Sequence, residues 1–293
     1  MERQAIGTVA ELIRLNFERL TRSEKQIANT LLSDYPVAGL SSITEFARSA
    51  DVSSPTVIRT VQKLGFSGFP EFQNKLRSEL SAQLSTPLTR RAQWAVGAPE
   101  SHILNTFAAA VVDNIQQSLK LIDHLEFDRI VDLIADTDRS IHLVGGRVTH
   151  VVADYLSTYL EGIRHGVVAL PPSSSHWPQH LLGMTRGDVL LVFDMRRYER
   201  NLNELAQLAH KRGVSIVVFT DQWISPISAI ATHTIPVRIE VPSSSDSTVA
   251  TVFMAEALLA AVAERLWPDA ETRIRDLEDM FDATGRFGKQ RTR

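Results

Sequence analysis

The strongest constraint on the fold of this chain is a change in the spacing of its apolar residues near residue 140. Upstream, apolar residues recur at helical spacing, as in Leu12, Ile13 and Phe17. Downstream, segments with that spacing alternate with five short β-rich runs, which lie at 140–144, 166–170, 189–193, 214–219 and 234–239. Strands that alternate with helices form a parallel sheet with helices on both faces. We therefore predict an all-α domain followed by an α/β domain with a five-stranded parallel sheet.

Cap residues mark two short helices in the first domain. Ser42 and Glu45 form a capping box that opens one helix, as Thr21 and Glu24 do for an earlier one. The residues at 51–53 favour a turn, and the next helix starts at Ser54-Pro55 and ends before Gly65. Two short helices joined by a three-residue turn are typical of a DNA-reading helix-turn-helix.

The second of these helices carries the candidate DNA contacts. Between residues 54 and 77 four basic side chains face one acidic side chain, a local charge of +3. We expect Arg59 to contact a base or a phosphate, Gln62 to pair with adenine, and Lys63 and Lys75 to bind phosphate. The full predicted set is Ser54, Pro55, Thr56, Arg59, Thr60, Gln62, Lys63 and Lys75. The alternative is a plain helical hairpin whose polar side chains are merely solvated.

Composition excludes several classes of protein. The chain has 293 residues and no cysteine, so disulfide scaffolds, thiolate metal sites and cysteine nucleophiles are ruled out. Aromatic residues make up 7%, which is little for a surface that stacks single-stranded bases. The longest apolar stretch, 249–263, contains Thr251 and Glu256, and the first residues lack a signal-peptide pattern. We expect a cytoplasmic protein with no membrane contact, no metal site and no cofactor.

Four loops of the second domain are candidates for binding a small molecule. In a parallel α/β sheet ligands bind at the carboxyl ends of the strands, where loops lead into helix N-termini. The candidate residues in these loops are Gly145, Gly146, Arg147, Thr149, Asp194, Arg196, Arg197, Tyr198, Thr220, Asp221, Ser245 and Ser247. Each loop taken singly is equally well interpreted as an ordinary connection with turn and cap residues.

The most distinctive stretch reads Lys63-Leu64-Gly65-Phe66-Ser67-Gly68-Phe69-Pro70-Glu71-Phe72. Together with 20–24, 40–47 and 52–59 it resembles the N-terminal domain of RpiR/MurR-type bacterial transcriptional regulators. The resemblance implies a second half that is a sugar-isomerase (SIS) domain, and a homodimer or homotetramer assembled through it. On this basis we place the helix-turn-helix domain at 1–80 and a linker at 81–100. The SIS-type effector-sensing and oligomerisation domain follows at 101–267, and a C-terminal helix with a basic tail at 268–293.

The SIS loops depart from the pattern that the resemblance implies. Where similar domains have a glycine and then a serine in the first loop, this chain has Arg147 and Thr149. The next loop in phosphosugar binders reads Ser-x-Ser-Gly-x-Thr, whereas here 194–199 contains none of those small or hydroxyl residues at the matching positions. Since arginine makes bidentate contacts with carboxylate or phosphate, we predict a small anionic or zwitterionic effector. The alternative is that Asp194 pairs internally with an arginine and that the pocket binds nothing or is an interface.

The prediction from sequence is a ligand-responsive, sequence-specific regulator that binds double-stranded DNA and is not an enzyme. The alternative is a SIS-type phosphosugar isomerase with an accessory helical domain, for which Glu199 and His176 are the nearest acid/base candidates. A third possibility is a sensor or scaffold whose helices bind a protein instead of DNA. The surplus of basic residues on the second helix argues against this last possibility.

Overall fold

The computed structural model of the chain describes residues 7–96, 102–267 and 269–286. The predicted basic tail lies outside the described residues apart from Arg286, and so do the first six residues. Within the described part of the chain, no helix combines the length and the apolar character needed to cross a membrane.

Five helices form the helical domain. They are α1 (Val9–Asn16), α2 (Arg22–Ser33), α3 (Ile43–Ser49), α4 (Ser54–Lys63) and α5 (Phe69–Gln83). Both predicted capping boxes are confirmed: the Thr21 amide donates to Glu24 at 2.8 Å, and the Ser42 amide donates to Glu45 at 3.0 Å. Phe46 and Phe72 are fully buried with ring centroids 6.4 Å apart, so α5 supplies the centre of this core.

The segment between the two domains contains more helix than the sequence suggested. The predicted linker at 81–100 includes the end of α5, and α6 (Pro87–Val96) begins only four residues after α5 ends. Proline at the first position of α6 is a favoured helix start, because its missing N–H has no intrahelical partner there. Two further helices, α7 (Ile103–Leu119) and α8 (His124–Ala135), lead into the sheet.

The second domain is the predicted five-stranded parallel sheet. Its strands are β1 (Ile141–Gly145), β2 (Val167–Ala169), β3 (Val189–Asp194), β4 (Ser215–Asp221) and β5 (His233–Val237), in the spatial order β2-β1-β3-β4-β5. The helices between and after them are α9 (His150–Ile163), α10 (Trp177–Gly183), α11 (Arg200–Lys211), α12 (Val249–Arg265) and α13 (Asp269–Thr284). The fold class is confirmed, and the connection between β4 and β5 contains only a short 3-10 turn, Pro226–Ala229.

Successive strand residues pack against opposite layers of helices. Leu143 lies in the core beneath α8, α9 and α12, while its neighbour Val144 lies in the core beneath α10 and α11. Because both faces of the sheet are covered, the strands read as continuous apolar runs. Polar side chains can therefore reach solvent only at the strand ends, which is where the candidate loops lie.

The helical domain contacts the α/β domain through its first helix. Glu11 of α1 accepts two hydrogen bonds from the Arg238 guanidinium, from Nε and Nη2, each at 2.6 Å. The Thr8 hydroxyl donates to the Gln222 carbonyl at 3.0 Å. A cavity of about 400 Å³ remains beside these contacts, with Lys75 and Glu79 of α5 on one side and Asp113 and Arg238 on the other.

Candidate functional site

The N-terminal half of α4 has the geometry expected of a DNA-reading helix. Its cap is Ser53, whose hydroxyl accepts from the Thr56 amide at 3.4 Å, and Pro55 occupies the first turn. Pro55, Arg59 and Gln62 are exposed, and Ser54 and Thr56 are partly exposed. Nη2 of Arg59 lies 3.5 Å from the Thr56 hydroxyl of the same helix.

One expectation about α4 is wrong. Thr60 is only 2% exposed and its hydroxyl donates to the Thr56 carbonyl at 2.8 Å, so it faces the core and is not available to DNA. Ile58 of the same helix is 38% exposed. An apolar side chain in this position suits contact with a thymine methyl group in the major groove.

The two predicted phosphate-binding lysines occupy different environments. Lys63 is exposed, but its ammonium lies 2.7 Å from the Glu24 carboxylate and donates to the Arg19 carbonyl at 2.9 Å. Lys75 pairs with Glu79 at 3.7 Å and lines the cavity between the domains. The structure therefore does not place Lys75 beside the exposed residues of α4, because α5 turns this side chain towards the α/β domain.

The strand ends enclose two adjoining cavities, of about 230 Å³ and 260 Å³. Both are lined by the loops that follow β1 and β3, and the first also by the loop that precedes α12. They bring together eight of the predicted ligand residues: Gly146, Arg147, Thr149, Asp194, Arg196, Arg197, Ser245 and Ser247. Parallel strands end at one edge of the sheet, which is why residues about 100 positions apart meet here.

The three arginines of these loops differ in their surroundings. Arg147 and Arg197 are exposed at the cavities, with Arg197 held at a φ of 62°. The side chain of Arg196 is 4% exposed and stacks on the Trp223 ring, 4.1 Å from its centroid. Its Nη1 donates to the Ala82 carbonyl at 2.7 Å and to the Ser85 hydroxyl at 2.9 Å. Arg196 thus ties the strand-end loop to the segment that follows α5.

A network of buried carboxyl groups supports the loops from below. Asp221 accepts from the Arg196 amide at 2.6 Å, the Tyr198 hydroxyl at 2.7 Å and the Trp223 amide at 2.9 Å. Asp194 accepts from the Ser225 hydroxyl and the Glu199 amide. Burial raises the pKa of Asp194 to about 7 and that of Asp221 to about 6. These carboxyls hold the shape of the loops, and Asp221 does not line either cavity.

Three predicted ligand residues lie in this supporting network instead of at the cavities. Tyr198 and Asp221 are bonded to each other, and the Thr220 hydroxyl accepts from the Ser225 amide at 2.8 Å. Gly145 is enclosed as well, since a Cβ there would lie 2.5 Å from the His150 nitrogen. The structure does not bring these four residues to either cavity, because their polar groups or their space are already used by the protein.

The first loop uses its own polar groups in the same way. The Thr149 hydroxyl donates to the Phe193 carbonyl at 2.6 Å and accepts from the Gly146 amide at 2.9 Å. The Glu199 carboxylate accepts from the Arg147 amide at 2.6 Å. An incoming anion would have to compete with Glu199 at this position, so the exposed guanidinium groups are the more accessible anion contacts.

Sequence reasoning missed several residues of the first cavity. Arg90 of α6 pairs with Asp246 at 2.6 Å, and both line the cavity together with Pro87 and Thr251. Asp246 lies between the predicted Ser245 and Ser247, so it was within reach of the sequence, and Thr251 lies in the first turn of α12. Arg90 carried no such signal, because its segment was expected to be a linker. The alternative pairing of Asp194 with an arginine is replaced by the pairing of Asp246 with Arg90.

Two domain families match consecutive parts of the chain. A helix-turn-helix domain of the rpiR family matches residues 7–83, and a SIS domain matches residues 133–261. The HTH-type transcriptional regulator HexR of Escherichia coli (strain K12) is 28% identical over 239 residues, covering 80% of this chain and 79% of that protein.

Two solved structures share the fold. The sugar isomerase domain of an RpiR transcription factor from Sphaerobacter thermophilus superposes with a TM-score of 0.58 at 22% identity, covering 61% of this chain and 99% of the other. The Vibrio vulnificus NanR protein complexed with ManNAc-6P gives a TM-score of 0.55 at 21% identity, covering 94% of this chain and 98% of the other.

Proposed function

We propose, from the premise that the chain belongs to the RpiR/MurR type of bacterial transcriptional regulators, that a small anionic metabolite controls its binding to specific DNA sequences in the cytoplasm. The DNA is read by α4, and the metabolite binds at the strand ends of the SIS domain. The observation that carries the proposal is the exposure of Arg59 and Gln62 on α4, while Val57 and Val61 bury the opposite face of that helix.

The proposed DNA contacts follow from the geometry of α4. A helix that enters the major groove by its N-terminus presents short residues first, which let the backbone approach, and longer donors a turn later. Pro55 and Thr56 fill the first role, and Arg59 and Gln62 fill the second. Arginine is suited to the acceptor edge of guanine, and glutamine to adenine.

The test compares Arg59→Ala with Arg129→Ala, which removes an exposed arginine of α8. In electrophoretic mobility shifts on the promoter region of its own gene, we expect Arg59→Ala to weaken specific binding by about 1–3 kcal/mol, roughly 5- to 150-fold. Arg129→Ala should bind like the wild type. Equal binding of wild type and Arg59→Ala to all sequences would contradict specific reading by α4.

The proposed effector is a small carboxylate, phosphate or zwitterion. Arg147 and Arg197 are exposed at the cavities and offer planar, bidentate donors to such groups. The Vibrio NanR protein is complexed with ManNAc-6P, so phosphorylated sugars form one arm of the test. The loop at 194–199 lacks the hydroxyl residues typical of phosphosugar binders, so amino acids and other carboxylates form the second arm.

Thermal-shift screening of the full chain separates these effector classes. A ligand that binds only the folded protein raises its melting temperature, and the rise grows with the ligand concentration. We expect an anion to stabilise the wild type but not the variant Arg147→Ala/Arg197→Ala. A response to neutral sugars only would contradict the anionic effector, and turnover of any phosphosugar would contradict the absence of a catalytic role.

We further propose that the chain acts as a homodimer or homotetramer assembled through the SIS domain. Val151 and Tyr159 are more than half exposed on one face of α9, and apolar stripes of this kind mark interaction surfaces. A dimer would place its two α4 helices one DNA turn apart, ~34–36 Å, or a multiple of that distance. Light scattering of Val151→Glu against Leu182→Glu, an exposed residue of α10, tests this surface. Only the first substitution should reduce the mass.

A further inference from the structure

The effector cavity is completed by the segment that carries the DNA-binding domain. Pro87 and Arg90 of α6 line the 230 Å³ cavity, whose remaining walls come from loops of the SIS domain. The Arg90 side chain is 15% exposed, and its Nη1 lies 2.6 Å from Oδ1 of Asp246. A molecule bound in this cavity would therefore touch two parts of the chain, the segment that connects the two domains and the loop before α12.

Asp246 is shared between two arginines. Its second oxygen, Oδ2, lies 3.1 Å from Nε of Arg196. Through Nη1, Arg196 donates to the Ala82 carbonyl and the Ser85 hydroxyl, at the end of α5 and just beyond it. One carboxylate thus helps hold the segment from Ala82 to Arg90 against the SIS domain.

The cavity has polar groups that the protein itself does not satisfy. Arg90 and Thr251 both line this cavity. Nε of Arg90 and the hydroxyl of Thr251 are buried and have no hydrogen-bond partner among the described residues. Nε of Arg196 is also buried without a well-aligned hydrogen bond, although it faces Asp246. Buried donors without acceptors are rare in folded proteins. Two guanidinium groups and a hydroxyl that converge in this way match an oxyanion with several acceptor oxygens.

We propose that Asp246 occupies the place of the effector's anionic group and that effector binding transfers Arg90, and with it the segment 82–96, from Asp246 to the ligand. This inference rests on the proposed function, because it assigns the regulation of that same cavity. Like charges exclude each other from one site, so the anion and the Asp246 carboxylate compete for the same donors. Only a ligand that prefers one arrangement of the segment can shift the balance between them. The occupied cavity therefore differs from the empty one in how the DNA-binding domain is held.

The first test needs no ligand and uses the absence of cysteine from the chain. In the variant Ser85→Cys the single thiol replaces a buried hydroxyl, and its rate of reaction with a maleimide reports exposure of the segment. Adding Asp246→Asn removes the carboxylate that both arginines share. We expect the labelling rate to rise by roughly fivefold or more, since local opening becomes easier.

The matched control is Glu204→Gln, which removes a carboxylate 2.7 Å from Arg200 on the surface of α11 and should leave the rate unchanged. Because Ser85→Cys itself alters a hydrogen bond to Arg196, hydrogen exchange at 82–96 is measured in parallel with Ser85 intact. An unchanged labelling rate and unchanged exchange in Asp246→Asn would overturn the inference.

The second test uses inorganic phosphate as the probe, titrated by thermal shift at constant ionic strength. We expect Asp246→Asn to bind phosphate roughly fivefold more tightly than wild type, and Arg90→Gln to bind it more weakly. Stabilisation of the wild type and Arg90→Gln at the same phosphate concentrations would overturn the inference and leave the proposed effector site standing. Failure of phosphate, carboxylates and phosphosugars to stabilise any of these proteins would overturn the effector site and this inference together.

Discussion

At the scale of single residues, the type of a side chain was easier to predict than its partner. The sequence identified Arg196 and Asp194 as charged residues at strand ends, and both lie there. Arg196 is nevertheless occupied by Ala82, Ser85 and Asp246, and Asp194 by Ser225 and Glu199. The partners of Arg196 lie 50 to 114 positions away, and Ser225 lies 31 positions from Asp194. The spacing of residues along the chain does not reveal such partners.

Glu79 gives a prediction at this scale because it is a buried carboxyl between the two domains. It accepts from the Val9 amide at 2.9 Å and from the Tyr35 hydroxyl, with Lys75 at 3.7 Å and Glu11 on the facing helix. Burial raises its pKa to about 7. The folded state then holds a proton that the unfolded state has released, so stability falls as pH rises from about 4.5 to about 7.

Over this range we expect the free energy of unfolding of the wild type to fall more steeply than that of Glu79→Gln, by up to about 1.4 kcal/mol per pH unit. Asp194 and Asp221 have raised pKa values as well, so the wild-type curve keeps a falling slope and the difference between variants isolates Glu79. Urea unfolding at pH 5, 6, 7 and 8 measures this. Glu45→Gln is the control, since hydrogen bonds from Ser42 lower the pKa of that exposed carboxyl and it titrates below this range. Parallel curves for wild type and Glu79→Gln would show that Glu79 is ionised throughout.

At the scale of elements, the caps of α4 separate stability from DNA binding. The hydroxyl of Ser53 accepts from the Thr56 amide, whereas its neighbour Ser54 is already the first residue of the helix. Loss of an N-cap costs about 1 kcal/mol, with a range of roughly 0.5–2. We therefore expect Ser53→Ala to lower the free energy of unfolding by that amount.

The matched variant Ser54→Ala should change stability less and weaken DNA binding, because Ser54 is partly exposed at the end that approaches the phosphates. Denaturant unfolding and mobility shifts on both variants measure the two effects. If Ser54→Ala destabilised the chain as much as Ser53→Ala, the cap would be wrongly placed in the structure.

Elements defined by local signals were predicted well, and those defined by packing were not. The five strands and the helix-turn-helix follow from alternating apolar runs and from cap residues such as Ser42 and Glu45. The expected linker hid α6, whose Arg90 pairs with Asp246 in the loop before α12, a contact that no local signal indicates. The cavity at the strand ends was therefore predicted only in part: its loops are local features, whereas the segment at Pro87 and Arg90 that closes it is not.

At the scale of the whole molecule, the helical domain and the SIS domain contact each other through a buried polar pair. Glu11 and Arg238 form a bidentate pair in which the Glu11 side chain is 4% exposed and the Arg238 side chain 25% exposed. Removing one partner of a buried pair leaves an uncompensated charge, which costs up to about 3–5 kcal/mol. Since Arg238 retains some solvent, we expect a smaller loss, about 1–3 kcal/mol.

Arg238→Gln should therefore weaken the contact between the domains more than it weakens either core. By differential scanning calorimetry we expect the helical domain to melt in a separate, earlier transition, while the wild type melts with the two domains coupled. Arg265→Gln, which breaks an exposed pair with Asp132 on the far helices, should cost under about 1 kcal/mol and leave the transitions unchanged. The double variant Glu11→Gln/Arg238→Gln should recover part of the loss, because no buried charge is then left without a partner. A single transition in Arg238→Gln, shifted no more than in Arg265→Gln, would mean that the pair does not hold the domains together. Other contacts, such as those of Arg196 with Ala82 and Ser85, would then carry the coupling.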